Sequence, residues 1–242
     1  MEARRSRHLD WDGCFNVRDL GGLGAGDGRK TRWGALVRAD SLSELTADGW
    51  DTLSADGIRT VIDLRNADER GNDATARPAS ISTVQVPLDV AEDREFWGEW
   101  GSGPQFGTPL YYGPHLRRFP ERNAVVISEI ARAEPGGVAF HCVGGRDRSG
   151  QVALLVLALV GVAAEDIAAD YELSARRLRA LYEARGEDDQ GPALEAFLTA
   201  RGTPAAAVIA ETLASFDIGG HLRGGGLPDD DLRALRDRFL DS

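Results

Sequence analysis

The stretch Gly137-Val138-Ala139-Phe140-His141-Cys142-Val143-Gly144-Gly145-Arg146-Asp147-Arg148-Ser149-Gly150 starts apolar, becomes small and polar, and leads into the apolar series Val152 to Ala164. Val138-Ala139-Phe140 is apolar without alternation, the pattern of a strand covered on both faces. The later series is interrupted by Gly161 and falls short of the ~18 residues that a membrane span needs, so it reads as a buried helix beginning near Arg148. A loop between a strand end and a helix N-terminus can turn its backbone N–H groups inward, and the helix dipole adds positive potential. Gly144 and Gly145 permit unusual φ values and a close approach of backbone to ligand. An anion held there lies over Cys142, where the same potential favours the nucleophilic thiolate. Arg148 can return its planar fork to two oxygens of a tetrahedral anion, and Ser149 can donate its hydroxyl to the sulfur. His141 precedes the cysteine in the strand, so it faces the opposite side and orients rather than reacts.

Outward from this loop, apolar runs at Ala35–Arg38, Arg59–Leu64 and Thr83–Leu88 read as further strands. Ser43 or Thr46 can cap a helix reaching Leu53, which makes a strand-helix-strand unit. The expected class is α/β, with a mostly parallel central sheet flanked by helices. After the loop the chain reads as helical over 152–162, 164–185, 192–201, 204–215 and 228–240, with breaks at Gly186–Pro192 and Gly219–Pro228. Neither break has the length of a domain linker, so 1–242 is expected to form one domain, with a helical C-terminal part from about 164. Residues 92–119 gather aromatic rings among Gly and Pro, as core packing or as a lid over a pocket. Asp27-Gly28 signals a two-residue hairpin. Gly28-Arg29-Lys30-Thr31 echoes a nucleotide-binding loop, but Arg29 stands where that motif needs glycine.

Charge and cysteines narrow the function classes. With 28 Lys and Arg against 39 Asp and Glu, the net charge of −11 disfavours nucleic acid and anionic membranes as partners. Only Lys30 of the cations is lysine, which leaves many guanidinium groups for oxyanions. Cys14 and Cys142 cannot build a disulfide framework, and the polar start Met1–Asp10 shows no signal peptide, so a cytoplasmic location is expected. Cys14 has Leu20, not arginine, six positions on, so only Cys142 carries the loop pattern.

His-Cys-x5-Arg-Ser resembles the signature of the protein tyrosine phosphatase superfamily, and most of all the bacterial and fungal tyrosine phosphatases with a His-Cys-x-x-Gly-Lys-Asp-Arg-[Ser/Thr]-Gly loop. The resemblance extends through Asn16-Val17-Arg18-Asp19-Leu20-Gly21-Gly22, Arg32-Trp33-Gly34, Arg38-Ala39-Asp40-Ser41-Leu42, Gly57 to Arg65 with Glu69, and Asp170-Tyr171. It implies a phosphomonoester hydrolase without metal or cofactor, in which Cys142 attacks phosphorus and forms a phosphocysteine. Val143, Gly144, Gly145, Arg146, Asp147 and Ser149 would then line the phosphate site and Arg148 would bind its oxygens.

A general acid is also needed. Asp89 is the leading candidate, because it follows Val86-Pro87-Leu88 at a strand's C-terminal end, and Asp147 is the rival. Asp19, Asp40, Asp63 and Arg65 are expected to form a buried frame beneath the loop. The substrate classes that fit are a phosphorylated protein, a phosphoinositide and a small sugar or nucleoside phosphate, with protein phosphotyrosine the leading one. Sulfur transfer on a rhodanese-like fold and a phosphate-binding pseudoenzyme are the competing classes. Arg146 replaces the family's lysine, and from the loop it is expected to project to the pocket rim, where it can stack on an aromatic ring or meet a second anionic group; the alternative is a pair with Asp147 or another carboxylate that holds the loop's shape.

Overall fold

The apolar runs become a sheet whose strands end beside one another. In the computed structural model, which describes residues 5–241, the strands are β1 (Arg18–Asp19), β2 (Leu36–Ala39), β3 (Ile58–Asp63), β4 (Ser82–Gln85) and β5 (Gly137–His141). Met1 to Arg4, part of the basic start, and Ser242 lie outside the described residues. The order is β1-β2-β5-β3-β4, with β1 antiparallel to β2 and every other pairing parallel. The mostly parallel sheet expected from the sequence is therefore present. β1 was not among the expected strands, since two residues on a sheet edge leave no periodicity to read. The ladder of β4 stops at Gln85, short of Leu88, because Pro87 has no N–H to offer. Val86 N and Leu88 N still bond Asp63 O and Leu64 O at 2.9 and 3.1 Å, which carries the chain along β3 to Asp89.

The helices are α1 (Ala47–Ala55), α2 (Arg94–Trp100), α3 (Tyr112–Arg118), α4 (Pro120–Arg132), α5 (Arg148–Leu159), α6 (Ala164–Arg185), α7 (Gly191–Ala200), α8 (Ala205–Ser215), α9 (Ile218–Gly224) and α10 (Asp229–Phe239). Thr46 caps α1 by accepting from Gly49 N. The sequence reading passed over α4, whose buried stripe Ala124, Ile127, Ile130 and Ala131 is split by polar residues. It also took nearly all of α9 for a break, although Asp217 caps that helix at Gly220 N and the helix buries Ile218 and Leu222. The turn at Asp27 has three residues, 26–28, between Ala25 and Arg29, rather than two. Among the described residues no helix is long and apolar enough to cross a membrane.

Strand alternation sends each face of the sheet into its own core. Leu36, Ile62, Val138 and Phe140 pack with α4, α5, α9 and α10, while Val37, Val61 and Ala139 pack with Trp11, Leu42, Trp50 and Leu53. Helix α5 is buried nearly all round, so truncating one of its leucines to alanine should cost about 2–5 kcal/mol. The aromatic segment 92–119 packs inward: Phe96 stands edge-on to Trp97 and Phe119, with centroids 4.9 and 5.0 Å away. Tyr111 and Tyr112 are buried there, and Phe106 is exposed.

Candidate active site

Parallel register brings Asp40, Cys142 and Leu64 to adjacent strand ends, one step beyond the pairs Ala39–His141 and Asp63–His141. The loop 143–147 leaves from the central strand and is defined by what holds its carbonyls. Cys142 O accepts from His141 Nδ1 at 3.1 Å, Val143 O from Ser41 N at 2.9 Å, and Gly144 O from Asn16 Nδ2 at 2.9 Å. Gly145 O and Arg146 O both accept from Arg38, through Nε at 2.9 Å and Nη2 at 2.7 Å, and Asp147 O accepts from the Tyr112 hydroxyl at 2.8 Å. In a trans peptide the C=O of one residue and the N–H of the next point in opposite directions. Every carbonyl from Cys142 to Asp147 is tied to the outside, so the N–H groups from Val143 to Arg148 face the other way, into one concavity. Among the described residues no backbone acceptor takes them. The concavity has the form expected of an anion cradle, with the N-terminus of α5 at its end.

Only one of the two loop glycines is required by its backbone. Gly145 has φ +66°, and a Cβ on it would stand 2.6 Å from Ala39 O. Gly144 has ordinary φ, and a Cβ there would meet Leu178 at 3.5 Å, a normal contact, so the expectation for it is corrected. Gly150 matters more: a Cβ would lie 2.3 Å from the Tyr112 hydroxyl and 2.9 Å from Arg38 Nη2, displacing the groups that hold the loop.

Behind the loop lies a charge cluster that the sequence reading did not assemble. Asp170 of α6 accepts from Arg18 Nε at 3.0 Å and Arg38 Nη1 at 2.7 Å, and also pairs with Arg7. Burial works against the Asp170 carboxylate, but Arg18, Arg38 and Arg7 outweigh it and hold it far below the usual carboxylate range. Burial and the neighbouring Arg38 push Arg18 down to about 9. Arg18 Nη1 also donates to Asn16 Oδ1 at 2.6 Å, which aims the Asn16 amide at Gly144.

The expected frame residues are buried as anticipated but support the loop less directly. Asp19 accepts from Gly21 N and Gly34 N, and Asp40 from Phe15 N and Asn16 N. Asp63 pairs with Arg65, which reaches Ser41 and Ser43. Burial raises Asp40 to about 6.

Inside the cradle, Cys142 is 2% exposed on the α5 side of the sheet. His141 lies on the other face, as the alternation required, and burial lowers it to about 4, so it is neutral at pH 7 with the proton on Nδ1. Ser149 Oγ is buried with no hydrogen-bond partner among the described residues, so the expected bond to sulfur is not made in this structure.

Arg148 is gripped by Glu69, through Nη2 to Oε1 at 2.6 Å and a second bond from Nη1 to Oε2, and Asp89 Oδ2 lies 3.5 Å from Nη1. Burial opposes the charge on Arg148, but Glu69, Cys142 and Asp89 outweigh it and keep the guanidinium protonated. Glu69 was quoted in the sequence only as part of a resemblance; its role as the partner of Arg148 needed the fold. Asp89 is largely enclosed, with its side chain 9% exposed, its Oδ1 has no hydrogen-bond partner among the described residues, and burial raises the carboxyl to about 6 despite the opposing pull of Arg148. A carboxyl that holds its proton into that range can give it up to a leaving group.

Asp147, the rival acid, pairs with Arg146 at 3.2 Å. Arg146 is therefore not the free rim cation expected from the sequence. It is buried, tied to Asp147, and lines a cavity of about 570 Å³ with Tyr171, Leu194 and Leu198.

Residues 9–241 match the model of the tyrosine phosphatase family. A protein of Cupriavidus necator named for the tyrosine-protein phosphatases is 32% identical over 183 residues, 72% of this chain and 65% of that one. A tyrosine-protein phosphatase of Nostoc commune is 34% identical over 149 residues, 60% of this chain and 49% of its own length. The triple specificity protein phosphatase PtpB of Mycobacterium tuberculosis is 28% identical over 274 residues, 94% of this chain and 97% of that one. The matches thus span just under two thirds and about half of the first two relatives, and nearly all of the third.

Proposed function

The chain belongs to the tyrosine phosphatase family, and from that membership we propose that it hydrolyses phosphomonoesters through Cys142, with tyrosine phosphate in proteins as the substrate class. The observation that carries the reading is the ring of outward-tied carbonyls from Cys142 to Asp147, which aims successive amides at one point above a buried sulfur. The Cys142 thiolate attacks phosphorus in line, and the P–O ester bond breaks as the P–S bond forms. Asp89, protonated at the start, gives its proton to the departing oxygen. Water then attacks phosphorus, Asp89 takes its proton, and the P–S bond breaks to release phosphate and thiolate. Charge on the equatorial oxygens is met by the loop amides and by Arg148, the contribution expected to dominate; one such donor is typically worth about 3–4 kcal/mol.

Arg148 is held for this task by Glu69, and its conformational freedom is already spent before substrate arrives. The engagement of Arg146 with Asp147 supports a substrate with one phosphoryl group over one needing a second loop cation. The test is turnover of an aryl phosphate, a phosphotyrosine peptide, a phosphoinositide and a sugar phosphate by the purified chain. Activity on the first two at comparable kcat/KM is the expected result. Turnover confined to the phosphoinositide or sugar phosphate would displace the substrate assignment, and none on any of the four would remove the proposal.

A further inference from the structure

The cluster around Asp170 is hard to account for as a stabilising device. Arg18 and Arg38 are about 0–1% exposed, and Arg7 joins them on a single carboxylate, so buried positive charge exceeds negative. Ion pairs of this depth are weak sources of stability, because desolvation consumes most of the Coulomb gain, and a surplus of one sign makes the balance worse. What the arrangement does achieve is geometric. Arg38 spends its donors on Gly145 O, Arg146 O and Asp170 at once, with Nε, Nη2 and Nη1 each assigned. A planar fork can do this, and an ammonium cannot. The two peptide units it holds are those whose N–H groups, on Arg146 and Asp147, face the cradle. The surplus positive charge also lies just across the loop from where a thiolate and a phosphoryl group would sit.

Resting on the phosphatase reading above, we propose that Arg38, aligned by Asp170, is a positioning residue for catalysis: it keeps the amides of Arg146 and Asp147 directed at the phosphoryl oxygens and polarises them. Arg18 extends the same device to the next peptide by orienting Asn16 on Gly144 O. The absence of a side chain at Gly150 belongs to it as well, since a Cβ would push Arg38 Nη2 out of place. Asp170 belongs to a helix that begins beyond α5, so the cradle is supported from a part of the chain far from the loop in sequence.

The experiment compares wild type with Arg38→Lys, Arg38→Met and Asp170→Asn, and with Leu235→Ala as a destabilised control in the distant α10 core. The readouts are melting temperature, kcat and KM for an aryl phosphate, the dissociation constant for tungstate as a phosphate-shaped anion, and the rate of Cys142 alkylation by iodoacetate at pH 6. The Arg38 variants should lose about 100-fold in kcat, bind tungstate at least about 10-fold more weakly and alkylate more slowly. Asp170→Asn should follow in the same direction, while Leu235→Ala lowers the melting temperature and leaves the other readouts near wild type. Arg38→Lys, which keeps the buried charge, carries the test if Arg38→Met does not fold. Tungstate affinity and kcat within about threefold of wild type in Arg38→Lys would overturn the proposal, as would losses that simply track melting temperature across both Arg38 and Leu235 variants. A wild type that binds tungstate but turns over no phosphate ester would instead refute the phosphatase reading, and the binding and alkylation readouts would still judge Arg38.

Discussion

Arg146 and Asp147 are neighbours in the chain and also each other's ion pair, with Arg146 Nε 3.2 Å and Nη2 3.3 Å from the two Asp147 carboxylate oxygens. The pairing turns both side chains away from the roles that a free loop residue would have. Arg146 is paired rather than open to a second anionic group, and the Asp147 carboxylate is engaged by Arg146.

Arg146→Ala should therefore lower kcat/KM by a similar factor, about 3- to 10-fold, for an aryl phosphate and for an acidic phosphopeptide, through loosening of the loop. Side-by-side kinetics on the two substrates check it. A loss confined to the phosphopeptide would restore the rim-cation expectation drawn from the sequence.

Cys142→Ser should reduce turnover by more than about 1,000-fold while phosphate still binds, because the amides that form the cradle belong to the backbone. Calorimetric titration with phosphate reports the binding half. Chelator treatment of the wild type should leave turnover unchanged, since the nucleophile is the sulfur. Loss of activity reversed by a divalent ion would point to metal-assisted hydrolysis instead.

Glu69 holds Arg148 and also raises Asp89 by like charge, after burial as the main cause. Glu69→Gln should thus have two effects with one origin. The fork of Arg148 loses its charged partner, so kcat should fall by about 10- to 100-fold. Asp89, freed of a nearby negative charge and nearer to an unshared Arg148, should lose its proton at lower pH. The basic limb of the pH profile would move down, and a limb that stays in place would mean that Glu69 and Asp89 do not interact through Arg148.

These relationships were legible in the sequence to unequal degrees. Cys142, the glycine pair and Arg148 are contiguous, so strand, loop and helix could be read as one local unit. Asp89 was a candidate from its place at a strand end and from the family resemblance. Arg38, Asp170, Asn16 and Tyr112 could not be assembled, because each meets the loop only through tertiary contact across a large sequence separation. Arg38, at the end of the expected strand Ala35–Arg38, was visible as a charge among apolar residues, the available signal that something must compensate it. For Arg146 the sequence left a rim cation and a pair with Asp147 both open, and the structure has the pair, because backbone direction sets where a side chain starts and not which neighbour it binds. The β1 edge and α4 were lost for a simpler reason: a two-residue strand and a stripe broken by polar residues give periodicity little to register.

Asp89 ties activity and stability to pH with opposite consequences. Burial raises its carboxyl from the ordinary 3.8 to about 6, with Arg148 opposing the change. In the proposed role of general acid it must be protonated, so turnover should decline as pH rises through about 6. Asp89→Asn should remove that limb and slow esters of poor leaving groups most, whereas Asp147→Asn should show neither effect. The same shift has a sign for folding. A carboxyl raised in the folded state contributes stability fully below its unfolded value, near 3.8, and loses it as pH rises through about 6. Above that range the ionised group is a burden of at most roughly 3 kcal/mol relative to a neutral one of the same shape. The asparagine variant should accordingly gain melting temperature over wild type at pH 8 and not at pH 4, while being the poorer enzyme below pH 6. Thermal melts at the two pH values, set beside kcat for a nitrophenyl and an alkyl phosphate, decide it. A variant no more stable than wild type at pH 8, or one equally slowed on both esters, would remove Asp89 from the role of acid.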